Sequence, residues 1–200
     1  MQGRSHSQFG FQTVRAAHTT FSRLMVALPI PSMDNANVRR RRKTKPKACD
    51  AVIAAPFGRV GFVLDGDALV DVSFLDRSAP LSPPRTMQAR KVSLTLKSYF
   101  ANPQAKLRLP LMLSGTAFQR RVWRALRRIP AGRTLSYGAL AAKLATSARA
   151  VGNACRANPV PIIIPCHRVV ASNGAGGLMG KRLGGALRLK HWLLEHERDG

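Results

Sequence analysis

The chain has 200 residues, 45% of them hydrophobic, with 33 Lys and Arg against 9 Asp and Glu and a formal net charge of +24. That length supports one good core or two small ones, and no apolar run reaches the ~20 residues that cross a bilayer. The imbalance points to a polyanion such as DNA, RNA or an anionic membrane surface, against the plainer reading of an Arg-heavy, solubilising surface. No Asp or Glu occurs between Arg77 and Leu194. This removes paired-carboxylate acid–base chemistry and a two-metal nuclease site from that region. Cys49, Cys155 and Cys166 are odd in number and widely spaced. Neither a disulfide framework nor a zinc ribbon fits, so free thiols in a reducing cytoplasm are expected.

Residues 1–47 read as a basic, disordered extension. Met1–Met33 has the composition of an organelle transit peptide, while Met33 offers an alternative start just before the basic run Arg39–Lys47. The adopted reading is cytoplasmic, with that run adding nonspecific phosphate attraction. A first domain spans 48–112. DAVIAAPFG, RVGFVLDGD and ALVDVSFLD are β-type runs separated by Phe-Gly and Asp-Gly-Asp turns, an antiparallel meander. MQARKVSLTLKSYFAN then sets Val92, Leu94, Leu96, Tyr99 and Phe100 on a helical stripe.

A second, mostly helical domain spans 113–200. Thr116-Ala-Phe-Gln119 is a capping box, followed by Phe118, Val122, Leu126 and Ile129 on one face, and Pro130 and Gly132 end the helix. Ser136 caps SYGALAAKLA and Ser147 caps SARAVGNACRAN. Two short helices joined by a tight turn suggest a helix-turn-helix. In the second of them, Ala148, Ala150, Gly152 and Ala154 are small and Arg149 stands among them. Two readings stand: a helix packed closely on a neighbour, or a thin face laid against DNA with one long cation projecting. The last helix is ALRLKHWLLEHE.

The chemistry concentrates in PIIIPCHRVV, residues 161–170, where a thiol, an imidazole and a guanidinium follow an apolar run. A free thiol titrates near ~8.5, so a cysteine nucleophile needs a base and a group that orients the base. Cys166 and His167 are adjacent, and Glu195, Glu197 and Asp199 are the carboxylates of the terminal helix that could complete a relay. The bland alternative is a buried structural cysteine beside an incidental histidine. Cys155 reads as a small buried residue, His191 and His196 as solvent-facing or packing positions, and Arg168 as a structural anchor for the turn.

NPVPIIIPCHRVV (158–170) strongly resembles the active-site signature of the O6-alkylguanine-DNA alkyltransferases, also called methylated-DNA–protein-cysteine methyltransferases. FQRRVWRALRRIPAGRTLSYGALAAKL (118–144), ARAVGNACRANP (148–159) and LKHWLLEHE (189–197) follow that family's order, and DAVIAAPFGRVGFVL looks like its N-terminal start. The resemblance implies an α+β fold: a small N-terminal antiparallel-sheet (RNase H-like) domain, then a helical domain with a winged helix-turn-helix-like DNA-binding element. It implies direct DNA repair, with Cys166 taking the alkyl group from guanine O6, and O4-methylthymine less well, in a single-turnover reaction after base flipping. His167 would act through a water, oriented by Glu197. Tyr137 would help rotate the nucleotide, and Asn158 would brace the turn carrying the cysteine. Arg149 would fill the gap left by the flipped base, with Ala148, Ala150 and Gly152 against the groove and Arg156 and Ser136 as further DNA contacts. Pro161, Val169, Leu183 and Gly184 would line the substrate pocket. No cofactor and no metal are implied. The expected partner is double-stranded DNA containing O6-alkylguanine, bound by a monomer with no membrane and no obligate protein partner.

Two departures stand out. The segment SNGAGGLMGKRLGGALRLK, residues 172–190, is longer than the family's usual loop, with Arg182 or Leu183 where a tyrosine is common. The turn in LATSARAV is shorter. Rival readings are a noncatalytic protein that flags alkylated bases, and a Cys–His hydrolase, for which no oxyanion site is recognisable.

Overall fold

The computed structural model describes residues 48–180 and 184–199; the expectations for residues 1–47, Arg182 and Leu183 lie outside them. Strands β1 (Ala51–Ala55), β2 (Gly58–Asp65) and β3 (Ala68–Leu75) form an antiparallel sheet in the order β1-β2-β3. Period-2 alternation aligns the apolar positions across it: Ile53, Val60 and Phe74 are register partners, as are Ala51, Phe62 and Val72. Helix α1 (Met87–Ala101) starts at Thr86, whose hydroxyl accepts from Ala89 N at 3.0 Å. It buries Ala89, Val92, Leu96 and Tyr99.

Leu94 departs from the expected stripe and is 67% exposed. At 3.6 residues per turn it stands about 200° around the helix from Val92, on the far face. Spacing of 92, 96 and 99 was the informative part of that pattern.

Helix α2 (Ala117–Leu126) has both arms of its capping box: Gln119 N donates to Thr116 Oγ1 at 3.2 Å, and Thr116 N donates to Gln119 Oε1 at 2.8 Å. Val122, Leu126 and Ile129 are buried, while Phe118 is half-buried with the Arg121 guanidinium 5.5 Å above its ring. Trp123 is buried too, and its Nε1 donates to Ala154 O at 2.9 Å. Helices α3 (Tyr137–Lys143) and α4 (Ala148–Arg156) start at Ser136 and Ser147, whose hydroxyls accept from Ala139 N and Ala150 N. Strands β4 (Leu135–Ser136) and β5 (Val169–Val170) pair in parallel, joining the start of α3 to the residues just after Cys166. Helix α5 (Gly185–Arg198) closes the described chain.

The sheet and the helical part together make an α+β fold with continuous packing. Phe57, in the β1–β2 turn, packs edge-on to Phe100 of α1 at 5.6 Å and to Trp192 of α5 at 5.0 Å. Val72 N donates to Pro159 O at 2.8 Å. Among the described residues, no helix is long and apolar enough to cross a membrane.

The capping box makes a direct prediction. Thr116→Ala removes the hydroxyl that holds the Gln119 amide and should cost about 1 kcal/mol of stability, read as a lower urea midpoint with an unchanged slope.

Candidate active site

The segment 158–170 folds as a tight, buried turn. Asn158 holds it from inside, with Nδ2 donating to Ile164 O at 2.8 Å and Oδ1 accepting from Val160 N at 3.1 Å. Ile164 N donates to Val160 O at 2.9 Å, and every residue from Val160 to Val169 is buried. Ile162 sits at φ 74°, a conformation that β-branched residues avoid; the surrounding apolar packing over-determines it. Cys166 opens a single turn of 3₁₀ helix, Cys166–Arg168, directly after Pro165.

Behind the thiol lies a polar cluster centred on one carboxylate. Glu197 Oε1 meets His167 Nε2 at 2.9 Å, accepts from Arg168 Nη2 at 2.8 Å and accepts from Tyr99 OH at 2.8 Å. Its Oε2 accepts from Arg168 Nε at 2.8 Å and from Gly132 N at 3.4 Å. Arg168 Nη1 also donates to Ile129 O at 2.5 Å. Of the three terminal carboxylates, Glu197 is buried while Glu195 and Asp199 are exposed. Burial alone would raise the Glu197 carboxyl, but hydrogen bonds from His167 and Arg168 outweigh it and hold the group well below the usual carboxylate range. Burial lowers the His167 imidazole against the pull of Glu197. A carboxylate only accepts, so His167 donates from Nε2 and is left with Nδ1 as its basic nitrogen.

In front of the thiol is a cavity of about 870 Å³, with Cys166, Tyr137, Cys155, Arg149, Gly152 and Arg156 among its lining. The loop Asn173–Gly180 closes one side, and Leu187 and His191 of α5 contribute as well. Burial pushes the Cys166 thiol up, while the Asn158 amide, the Lys190 charge and the backbone pull it down. Lys190 is fully buried; its Nζ donates to Val169 O at 2.5 Å and Gly177 O at 3.0 Å and lies 5.7 Å from the Tyr137 ring. Burial lowers this ammonium to about 8, against the opposite effect of Cys166 and Cys155. Burial also raises the Cys155 thiol.

The structure brings most of the expected residues together, with exceptions. Cys166, Tyr137, Ala148, Arg149, Gly152 and Arg156 share the cavity; His167, Glu197 and Asn158 lie in the buried layer supporting it. Ala150 is half-buried on α4 outside the lining, and the Ser136 hydroxyl accepts from Ala139 N. Pro161, Val169 and Gly184 do not line the cavity. Pro161 is bridged to Ile164 inside the turn, Val169 pairs with Leu135, and Gly184 precedes α5 on the surface. Their place is taken by the backbone of 173–180. Tyr99 and Lys190 were not singled out from sequence: a tyrosine on an apolar stripe reads as core, and a lysine in a terminal helix reads as surface.

The small residues of α4 divide between the two readings. Val151, Ala154 and Cys155 face the core. Ala148 and Arg149 are exposed, and a Cβ added at Gly152 would meet nothing within 4 Å. Packing among the described residues therefore does not require glycine there, although glycine inside a helix costs roughly 0.5–1 kcal/mol relative to alanine.

A methylated-DNA–protein-cysteine methyltransferase of Mycobacterium leprae is 41% identical over 140 residues, covering 69% of this chain and 82% of that protein. The chain belongs to the methylated-DNA–protein-cysteine methyltransferase family. The family domain described as "6-O-methylguanine DNA methyltransferase, DNA binding domain" matches residues 117–199. The methyltransferase of Salmonella typhimurium is 49% identical over 105 residues, 51% of this chain; the match spans 59% of that relative's length. Among solved structures, Mycobacterium tuberculosis OGT in complex with DNA superposes with a TM-score of 0.62 at 35% identity, covering 74% of this chain and 91% of that one.

Acid stability tests the carboxylate cluster. Glu197 has a depressed value in the fold, so its contribution is complete above the ordinary glutamate value near ~4.3 and is lost as pH falls toward the depressed one. Lowered His167 acts in the same direction, since the unfolded chain takes up its proton first as pH drops below ~6.5. Glu197→Gln should cost roughly 3–5 kcal/mol near neutral pH by leaving the Arg168 cation unpaired. It should also flatten the acid limb of a plot of urea-unfolding free energy against pH.

Proposed function

We propose that this protein repairs duplex DNA by moving the alkyl group from guanine O6 to Cys166 Sγ. The observation that carries the reading is a buried thiol at the wall of a cavity rimmed by the thin, exposed face of α4, with the His167–Glu197–Arg168 cluster behind it. Family membership supports the same reaction. Duplex O6 is not open to in-line attack within the stack, so the nucleotide is turned out into the cavity. Ala148 and Gly152 let the backbone of α4 approach the groove, and Arg149 occupies the vacated stack. Gly152, where an added Cβ would meet nothing among the described residues, fits a helix shaped for an external surface.

The thiol is held neutral by burial in the free protein. His167 Nδ1 accepts its proton through a bound water, and Glu197 stabilises the imidazolium that forms. Lys190 favours the thiolate through its charge. The sulfur then attacks the alkyl carbon, a C–S bond forms, and the C–O6 bond breaks with its electron pair leaving on the guanine. Tyr137 lies at the cavity where the departing base is protonated. The thioether is stable, so each molecule acts once, on O6-methylguanine and less well on O4-methylthymine. Residues 48–112 support the turn through the Tyr99–Glu197 bond, and residues 113–200 carry the chemistry. The protein works as a cytoplasmic monomer and requires no soluble cofactor.

Incubation with duplex containing O6-methylguanine should raise the intact mass by one methylene, mapped to the peptide that holds Cys166. Absence of the gain, or a gain on another peptide, rejects the reading. Cys166→Ala should retain DNA binding and lose transfer entirely. Arg149→Ala should slow repair in duplex by about tenfold or more while leaving reaction with the free base unchanged, since only the duplex bears an unstacking cost of a few kcal/mol; stopped single-turnover assays on both substrates separate the two.

A further inference from the structure

Helix α2 carries a feature that the alkyl-transfer site does not use. Arg120, Arg121 and Arg124 on α2, Arg127 at its C-terminal cap and Arg128 in the turn that follows are all exposed. Positions 120, 124 and 127 follow the i, i+4, i+7 spacing of one helix face, and Arg128 continues the basic run into the turn. Like charges at i, i+4 destabilise a helix by roughly 0.2–0.5 kcal/mol per pair. Nothing here offsets them: among the described residues none of the five arginines is in an ion pair.

The stripe is rigidly mounted. Val122, Trp123 and Leu126 bury the opposite face of α2. Trp123 Nε1 ties α2 to Ala154 O of α4 at 2.9 Å, and Arg121 Nη2 donates to Leu144 O, at the end of α3, at 3.0 Å. The arginines therefore stand in fixed relation to the helix that carries Arg149. From Arg120 to Leu126, the last residue of α2, the helix rises about 9 Å. One strand of B-DNA presents a phosphate about every 3.4 Å along the axis, so the stripe matches two or three successive phosphates.

We propose that this face of α2 is a second DNA contact, gripping the phosphate backbone of the duplex that flanks the groove met by α4. It rests on the reading of duplex DNA as the substrate. The contact carries no sequence information; it adds affinity and fixes how the duplex lies on the protein. Three of the arginines, Arg124, Arg127 and Arg128, make no hydrogen bond to a described residue through their side chains, so they are free to be changed without loosening α2.

The test compares the full chain with two triple variants, Arg124→Gln/Arg127→Gln/Arg128→Gln and the corresponding Lys substitutions. Binding to a short lesion-free duplex is measured across a salt series. The Gln variant should lose about 2–3 units of slope in log K against log salt, at ~0.9 per phosphate contact. The Lys variant should keep the parent slope to within about half a unit, because its charge is intact. Both should methylate Cys166 from free O6-methylguanine base at the parental rate, which reports an intact fold. An unchanged slope in the Gln variant overturns the proposal, as does an equal loss in the Lys variant. Loss of binding to phosphatidylserine vesicles, or to single-stranded RNA, with duplex binding untouched also overturns it. Mass gain at Cys166 is read in the same samples: a normal gain with an unchanged slope sinks the stripe alone, and no gain with a changed slope sinks the repair reading alone.

Discussion

A single buried carboxylate organises this molecule. Glu197 accepts from Tyr99 of α1, from Arg168 through two nitrogens, and from His167, with Gly132 N at the edge of its second oxygen. Those donors come from the N-terminal half, the turn after α2 and the Cys166 turn, and they converge on a carboxylate of the terminal helix. Burying a lone carboxylate is costly, and several donors must converge to offset it. In this fold that convergence satisfies Glu197, with Cys166 at the cavity and His167 beside it in the buried turn.

Much of this was readable from residues alone. Apolar alternation gave the meander, and Thr116, Ser136 and Ser147 marked three helix starts that the structure has. The scarcity of acids narrowed the partners of His167 to three residues, of which Glu197 is the buried one. What stayed hidden is explained by physics that acts across the chain. Leu94 looked like core until the helical angle placed it outside. A two-residue parallel pair, β4 with β5, has no periodicity to detect. Lys190 is a cation in a terminal helix, and only the tertiary fold shows that two carbonyls and a tyrosine ring enclose it.

Arg168 illustrates the same limit from the other side. Its sequence context assigned it a structural role, pairing with backbone or anchoring the turn. In the structure it spans Glu197 and Ile129 O, so the residue beside His167 fixes the group that His167 depends on. Two groups of basic residues contrast among the described residues. Arg168 and Lys190 are buried and committed to named acceptors, whereas Arg124, Arg127 and Arg128 stand in solvent with like charges beside them.

Four of the eight residues that line the cavity wall from Asn173 to Gly180 are glycines. Gly177 O is held by Lys190 and by the Tyr137 hydroxyl, at 3.3 Å from the latter. Gly176 has φ 69°, and a Cβ there would lie 3.2 Å from the Tyr137 ring; one on Gly180 would lie 2.7 Å from Arg156 Cδ. At Gly176 an added side chain would press on Ala171 N as well as the Tyr137 ring in a left-handed conformation, whereas at Gly180 it would meet the flexible Arg156 side chain, which can move aside. The shape of this wall thus follows the path of its backbone, and gaining or losing a residue between Asn173 and Gly180 would change the cavity more than exchanging one.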